Sequence, residues 1–256
     1  MSPWKLRLFV AFAILATAIF VRLGVWQLHR LGERRTRNRL ISERLQAAPV
    51  DVGAVPKDTA LSHYRRVRVV GERDYDHELV YAARTHSGAP GADLLTPVRI
   101  AGTDTAVLVN RGWVYAADGA TVDLPNLHDR DSTFEGYVEE FPAIPGAAFS
   151  TNPRTIARLS HDIAAKALPY PIAPFYVVLA DDPFTIADSA NRARQPTRIG
   201  APALDEGPHK SYAFQWFAFA VIAVVGTGIV VKQSRSIEMR PTFVADDGVG
   251  GARGPR

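Results

Sequence analysis

The side chains best suited to metal or acid–base chemistry in this chain are its seven histidines, because the sequence has no cysteine and only two methionines. The missing cysteines exclude disulfides, thiolate metal sites and cysteine nucleophiles, and two methionines exclude a methionine-rich copper site. The histidines do not show the compact spacing of a zinc site. The sequence also lacks a Gly-x-Ser-x-Gly elbow, a phosphate loop and a dinucleotide fingerprint. These patterns argue against an enzyme.

His209 differs from the other histidines because it directly precedes an apolar run. The twenty residues from Tyr212 to Val231 carry no charge, and a helix of that length crosses a hydrocarbon layer of about 30 Å. A neutral imidazole at a membrane boundary can bind haem iron. The alternative is a histidine that caps the helix or contacts lipid headgroups. The residues alone leave both interpretations open.

Arg111, Gly112 and Trp113 form a second candidate site at the end of a hydrophobic stretch. The three residues could form an edge that binds a partner protein. The alternative is a packed tryptophan beside a glycine bulge, with Arg111 paired to a carboxylate. Taken by themselves, these residues favour packing over recognition.

Two transmembrane helices are predicted, over residues 1–28 and 209–231. In the first, Leu8–Val21 is uncharged and Arg22 lies close enough to the outer end to reach water. A cleaved signal peptide, with Ala16-Thr17-Ala18 as its small-x-small site, is the competing interpretation. Residues 29–49 are predicted to form a juxtamembrane basic helix, which either faces phospholipid headgroups or is simply solvated.

A β-rich domain is predicted between the two spans, over residues 50–208. Short strands separated by turn signals favour an antiparallel barrel or sandwich with one or two helices, so the fold class is two transmembrane α-helices flanking a β-rich α+β domain. One helix is expected over 155–168, and Gly71 is expected to end the first strand. The tail, residues 232–256, is expected to be disordered. The predicted strands are 64–70, 78–84, 94–100, 106–115, 133–139 and 175–180.

The charge distribution predicts a lipid bilayer as a partner and no nucleic acid. The net charge of the chain is +4, and the segment Gln27–Gln46 alone carries a charge of +4, from six arginines and two glutamates. Proteins that bind nucleic acid instead spread their positive charge over a binding face. Basic residues near both termini favour a cytoplasmic location for both. The six arginines argue the other way, but loops longer than about 60 residues translocate largely regardless of charge.

Five motifs in order resemble the surfeit-locus family of cytochrome c oxidase assembly proteins. Leu23–Gln27, with Arg30 after it, resembles the family's exit from its first span, and Tyr64–Gly71 resembles its first strand. His209, followed by Tyr212, Ala213, Gln215, Trp216 and Phe217, resembles the start of its second span. The inner motifs of the family are matched by Gly91–Pro97 and by Val109–Val114.

The resemblance implies a two-span, extracytoplasmic-domain protein of the bacterial plasma membrane, with both termini in the cytoplasm. It implies no catalysis but a role in assembling haem–copper oxidase, with haem a bound transiently and presented to the catalytic subunit. His209 would be the iron ligand, with Gln215 and Trp216 beside the cofactor. Arg111, Gly112 and Trp113 would contact a partner, and haem a synthase is a further candidate partner. The alternative is a cofactor-free interaction protein that stabilises an oxidase assembly intermediate.

Overall fold

A computed structural model describes residues 2–128, 133–143, 154–180 and 196–238. These residues form two compact units. One unit comes from the two ends of the chain, up to residue 37 and from residue 205 onward, and the other comprises residues 38–204.

The unit from the chain ends is built by two helices, α1 (Pro3–Gln46, which continues into the second unit) and α4 (His209–Glu238). Both helices are long and apolar enough to cross a membrane, judged by length and composition. Many of their large apolar side chains are exposed, Phe12, Phe214 and Ile222 among them, as expected of helices whose solvent is lipid. α1 continues without a break past residue 28.

The second unit is a barrel of five strands. The hydrogen-bonded order is β2 (Arg66–Arg73), β6 (Thr133–Glu140), β8 (Ile172–Leu179), β5 (Ala106–Tyr115) and β4 (Ala89–Ile100), and β4 also pairs with β2 to close the ring. All pairs in the ring are antiparallel except β5 with β8. β-branched side chains point into the barrel and fill it, including Val67, Val107 and Val177.

Three further strands extend the sheet outside the barrel. β1 (Val50–Asp51) pairs with β2, β3 (Leu79–His86) with β4, and β7 (Thr155–Ile156) with β3. The short helix α2 (Thr59–Ser62) precedes β2, and α3 (His161–Ala167) covers a second apolar cluster. This architecture confirms the fold class predicted from the sequence.

Two local predictions were wrong. β2 does not end at Gly71 but runs on to Arg73, because the chain uses this glycine where β2 meets β4. A β-carbon there would lie 2.1 Å from the Arg99 carbonyl oxygen. The expected helix over 155–168 is instead a two-residue strand followed by α3, since Ser160 accepts a hydrogen bond from the Ile163 amide and caps the helix there.

Candidate functional site

His209 is the first residue of α4, and its ring is held by a glutamine from the other helix. The Nδ1 atom of His209 lies 2.8 Å from Oε1 of Gln27 on α1. Gln27 is buried, with 8% of its surface exposed, and the imidazole is half-buried. Because an amide oxygen only accepts, this contact places the ring proton on Nδ1. In the neutral form of the ring, the Nε2 atom is then left with a lone pair.

The contact between Gln27 and His209 rests on close packing of the two helices. A β-carbon on Gly24 would come within 2.8 Å of the Phe217 ring, so a larger residue at position 24 would require this ring to shift. The Phe20 and Trp216 rings stack with their centroids 5.9 Å apart. From 20 to 27 and from 209 to 216 the step is seven residues, about two helical turns in each helix. The two contacts therefore belong to one antiparallel register.

Gln215 and Trp216, predicted to lie beside a cofactor, have different surroundings. Trp216 is half-buried and packs on Phe20 and Phe219. Gln215 is exposed. Of the two, Trp216 shares a helix face with His209 because it lies two turns further along, and a cofactor contact for either residue stays a prediction.

Carboxylates just before α4 pair with arginines of α1. Arg35 forms two bonds with the Glu206 carboxylate, at 2.7 and 2.8 Å, and Arg34 lies 3.7 Å from Asp205. The Arg35 guanidinium, with its hydrogen bond as the largest cause, lowers the pKa of Glu206. Part of the basic segment is thus paired within the protein, and headgroup contact by its other arginines stays a prediction.

Arg111 lies in the interior of the barrel unit and is paired with Glu78. Both side chains are 0% exposed, and Nη1 of Arg111 lies 2.7 Å from Oε1 of Glu78. The Thr96 hydroxyl donates to the same oxygen, and Arg111 also donates to the Leu127 carbonyl. Among the described residues, Oε2 of Glu78 has no hydrogen-bond partner. The carboxylate therefore depends on Arg111 for its charge balance.

Gly112 and Trp113 follow Arg111 in a β-bulge of strand β5, and Trp113 is buried. The β4–β5 register shifts so that Leu94 faces Gly112 and Leu95 faces Asn110, which leaves Arg111 as the extra residue. Gly112 has φ +126°, and the backbone of buried Trp113 pairs in both directions with Thr197, at 2.7 and 2.8 Å. The packing alternative weighed from the sequence is what the structure shows, and partner binding by these three residues stays a prediction.

Asp93, opposite Trp113 on β4, is a buried carboxylate with weak partners. Arg84 Nε lies 3.5 Å away and Asn110 Nδ2 lies 3.4 Å away. Burial raises the pKa of Asp93 above its ordinary value, although Arg84 and Asn110 act in the opposite direction.

Asp93→Asn is expected to remove a pH dependence of stability. The folded protein holds the Asp93 proton more tightly than the unfolded chain, whose pKa is about 3.9. Asp93 therefore stabilises the folded protein at pH values below the pKa of the unfolded state. This contribution is lost as pH rises through the raised pKa of the folded state. Urea midpoints from pH 4 to pH 7 should separate the two proteins, with the variant gaining relative to wild type as pH rises. Parallel curves would contradict the prediction.

Sequence reasoning missed three residues that these sites use. Gln27 and Gly207 lie in or beside recognised motifs, but nothing in the sequence indicates that they contact His209. Glu78 is one of 26 acidic residues, and the sequence does not single it out as the partner of Arg111. In the described ranges, no three histidine or acidic side chains come together as a metal site.

These features define a class of protein in which a small β-barrel domain is inserted in sequence between two apolar helices. The two helices come from opposite ends of the chain and pack against each other. The SURF1 family matches residues 14–221. The chain belongs to this family, whose members are assembly factors for cytochrome c oxidase, and the resemblance seen in the sequence is confirmed.

Relatives are found in bacteria and in animals. An uncharacterised SURF1-like protein of Mycobacterium bovis is 26% identical over 238 residues, covering 86% of this chain and 79% of the relative. A SURF1-like protein of Rickettsia bellii is 25% identical over 248 residues, covering 94% and 97%. Surfeit locus protein 1 of Mus musculus is 32% identical over 120 residues, covering 40% and 38%. The bacterial matches thus extend over both helices and the barrel.

Proposed function

We propose that this protein is a membrane-bound assembly factor that holds haem a through His209 and presents it to the catalytic subunit of haem–copper cytochrome c oxidase. The observation that carries the proposal is the hydrogen bond between His209 Nδ1 and buried Gln27. A histidine that ligates a metal through one nitrogen usually donates from the other to a fixed acceptor.

The residues around His209 fit a haem in two further respects. Gly207 has no side chain, and a β-carbon there would lie 3.6 Å from Nε2, so this side of the nitrogen is left open. The exposed Tyr212 ring lies three residues further along α4, on the side of the helix that carries His209, and a macrocycle as apolar as haem a gains by contact with such a surface. Bound haem would supply an iron with a free coordination position; the chain supplies the ligand and keeps its ring oriented.

The membrane placement belongs to the same proposal. Two helices of membrane type are consistent with a membrane protein, and basic residues near both ends favour a cytoplasmic location for both termini. The bacterial relatives support the plasma membrane of a bacterium as its location. The barrel would then lie outside the cytoplasm, where it could contact the oxidase catalytic subunit and haem a synthase. The proposal assigns no reaction to the protein itself.

The test is the absorption spectrum of wild type and His209→Ala, each purified in detergent from cells that make haem a. A haem a band is expected in wild type and should fall at least about tenfold in the variant. His29→Ala is the matched control because His29 is an exposed histidine on α1, and it should keep the band.

One result would contradict His209 as the ligand, and another would contradict the carrier role. A band that survives in His209→Ala would place the ligand at another histidine. The absence of a band in all three proteins would instead favour the cofactor-free interaction protein, and co-purified oxidase subunits would then identify its partner.

A further inference from the structure

We propose that Gln27 is the positioning residue of the haem site: it fixes the ring proton of His209 on Nδ1 and thereby makes Nε2 the iron-binding atom. This inference rests on the proposed function, because it concerns the ligand of the same site. It assigns a role to the first helix, which supplies no iron ligand in the proposed site.

The contact between Gln27 and His209 selects one tautomer of the imidazole. Gln27 Oε1 lies 2.8 Å from His209 Nδ1, which is an ordinary length for a nitrogen donor and an oxygen acceptor. Free histidine in water favours the opposite tautomer, with the proton on Nε2. A haem ligand needs the lone pair on the nitrogen that faces the iron. Without an acceptor at Nδ1, the neutral ring would mostly present an N–H group at Nε2.

The packing of the two helices holds the Gln27 side chain in position. Gln27 is buried, and it lies three residues after Gly24, on the same face of α1. Near this level the Phe217 ring lies directly over Gly24, so the two helices approach closely. The Phe20–Trp216 stack fixes the register two turns away. Gln27 is therefore held in position before haem a binds.

The two ring nitrogens of His209 have different surroundings. Nδ1 faces a buried amide of α1, whereas Nε2 lies beside Gly207, a residue with φ +67° and no side chain. One nitrogen is thus occupied by the protein and the other is left accessible.

The experiment reads the tautomer in the haem-free protein. The full chain would be labelled with ¹⁵N-histidine and purified in detergent from cells that make no haem a, and long-range ¹H–¹⁵N correlations would be recorded at pH 8. His209→Ala identifies the His209 signals by their loss. We expect wild type to show the Nδ1–H tautomer, and Gln27→Met, which keeps the length but loses the acceptor, to shift to Nε2–H.

Two variants control for nonspecific effects. Gln233→Met changes an exposed glutamine of α4 and should leave the His209 tautomer as in wild type. Gln27→Glu restores an acceptor oxygen at the same reach and should restore the Nδ1–H form. Unchanged helical circular dichroism in each variant shows that the helices have formed.

A second readout is haem a binding by the same proteins. Loss of an orienting partner typically costs 10–100-fold in metal affinity, so about this loss is expected for Gln27→Met, with recovery in Gln27→Glu. If wild type binds haem a but its His209 is Nε2–H, or if Gln27→Met leaves the tautomer unchanged, the positioning role is overturned and the carrier function stands. If the tautomers change as expected but wild type binds no haem a, the carrier function is rejected. The positioning role is then rejected too, because it presupposes a haem site.

Discussion

Arg111→Met is expected to lower the free energy of unfolding by about 3–5 kcal/mol, because it leaves a fully buried carboxylate without its counterion. Glu78 and Arg111 are both 0% exposed, so water cannot replace the lost partner. The loss should appear as a lower urea midpoint for the full chain in detergent, followed by fluorescence of Trp113. Signals from Trp4, Trp26 and Trp216 are removed by changing them to phenylalanine.

Two further variants separate the ion pair from general damage. Glu78→Met combined with Arg111→Met removes both charges, and it should recover part of the loss because apolar pairs often replace buried ion pairs at little cost. Arg68→Met breaks an exposed pair with Glu135, whose side chains are 47% and 38% exposed, and should cost less than about 1 kcal/mol. An effect of Arg111→Met as small as that of Arg68→Met would show that the buried pair contributes little.

Gly112→Ala is expected to destabilise the barrel by about 3 kcal/mol, through backbone strain and a collision together. Gly112 has φ +126°, which L side chains rarely adopt, and a β-carbon there would lie 2.3 Å from the Thr197 carbonyl oxygen. That carbonyl accepts the Trp113 amide, so it cannot move without breaking the pairing. Urea unfolding of the full chain measures the loss.

The two contributions at Gly112 can be resolved with other glycines of the same unit. Gly102 has φ +76° but no atom within 4 Å of its β-carbon position, so Gly102→Ala reports the cost of a left-handed φ without a collision, about 1–2 kcal/mol. Gly200 has neither a positive φ nor a neighbour, and Gly200→Ala should be nearly neutral. If Gly112→Ala cost no more than Gly102→Ala, the contact with Thr197 would be soft.

The strands could be predicted because their cause is local. Runs rich in valine, such as Ala106–Tyr115, favour the extended chain by themselves, and this strand has the bounds expected from the sequence. Glycines were harder to interpret, since Gly71 resembles a strand end but serves as the point where two strands nearly touch. A glycine needed for close approach and one needed for a turn look alike until the neighbouring strand is known.

The candidate sites were predicted only in part, because their partners are far away in sequence. The position of His209 at the edge of an apolar run indicated a ligand, but Gln27 is 182 residues earlier and no periodicity links them. Arg111 needed a carboxylate, but nothing local distinguishes Glu78, 33 positions before it, from the other acids. Contacts of this kind are set by how the chain folds back on itself.

The separation of Gln27 from His209 also governs when the site can form during synthesis. The ribosome makes α1 first, then the whole barrel, and only then α4, so a nascent chain that stops before residue 209 carries the glutamine without the histidine. Completion of the helix pair therefore follows translation of the entire domain. If the proposed function is correct, a chain that stops before residue 209 cannot bind haem a. Haem a then binds only to chains whose barrel has already been synthesised.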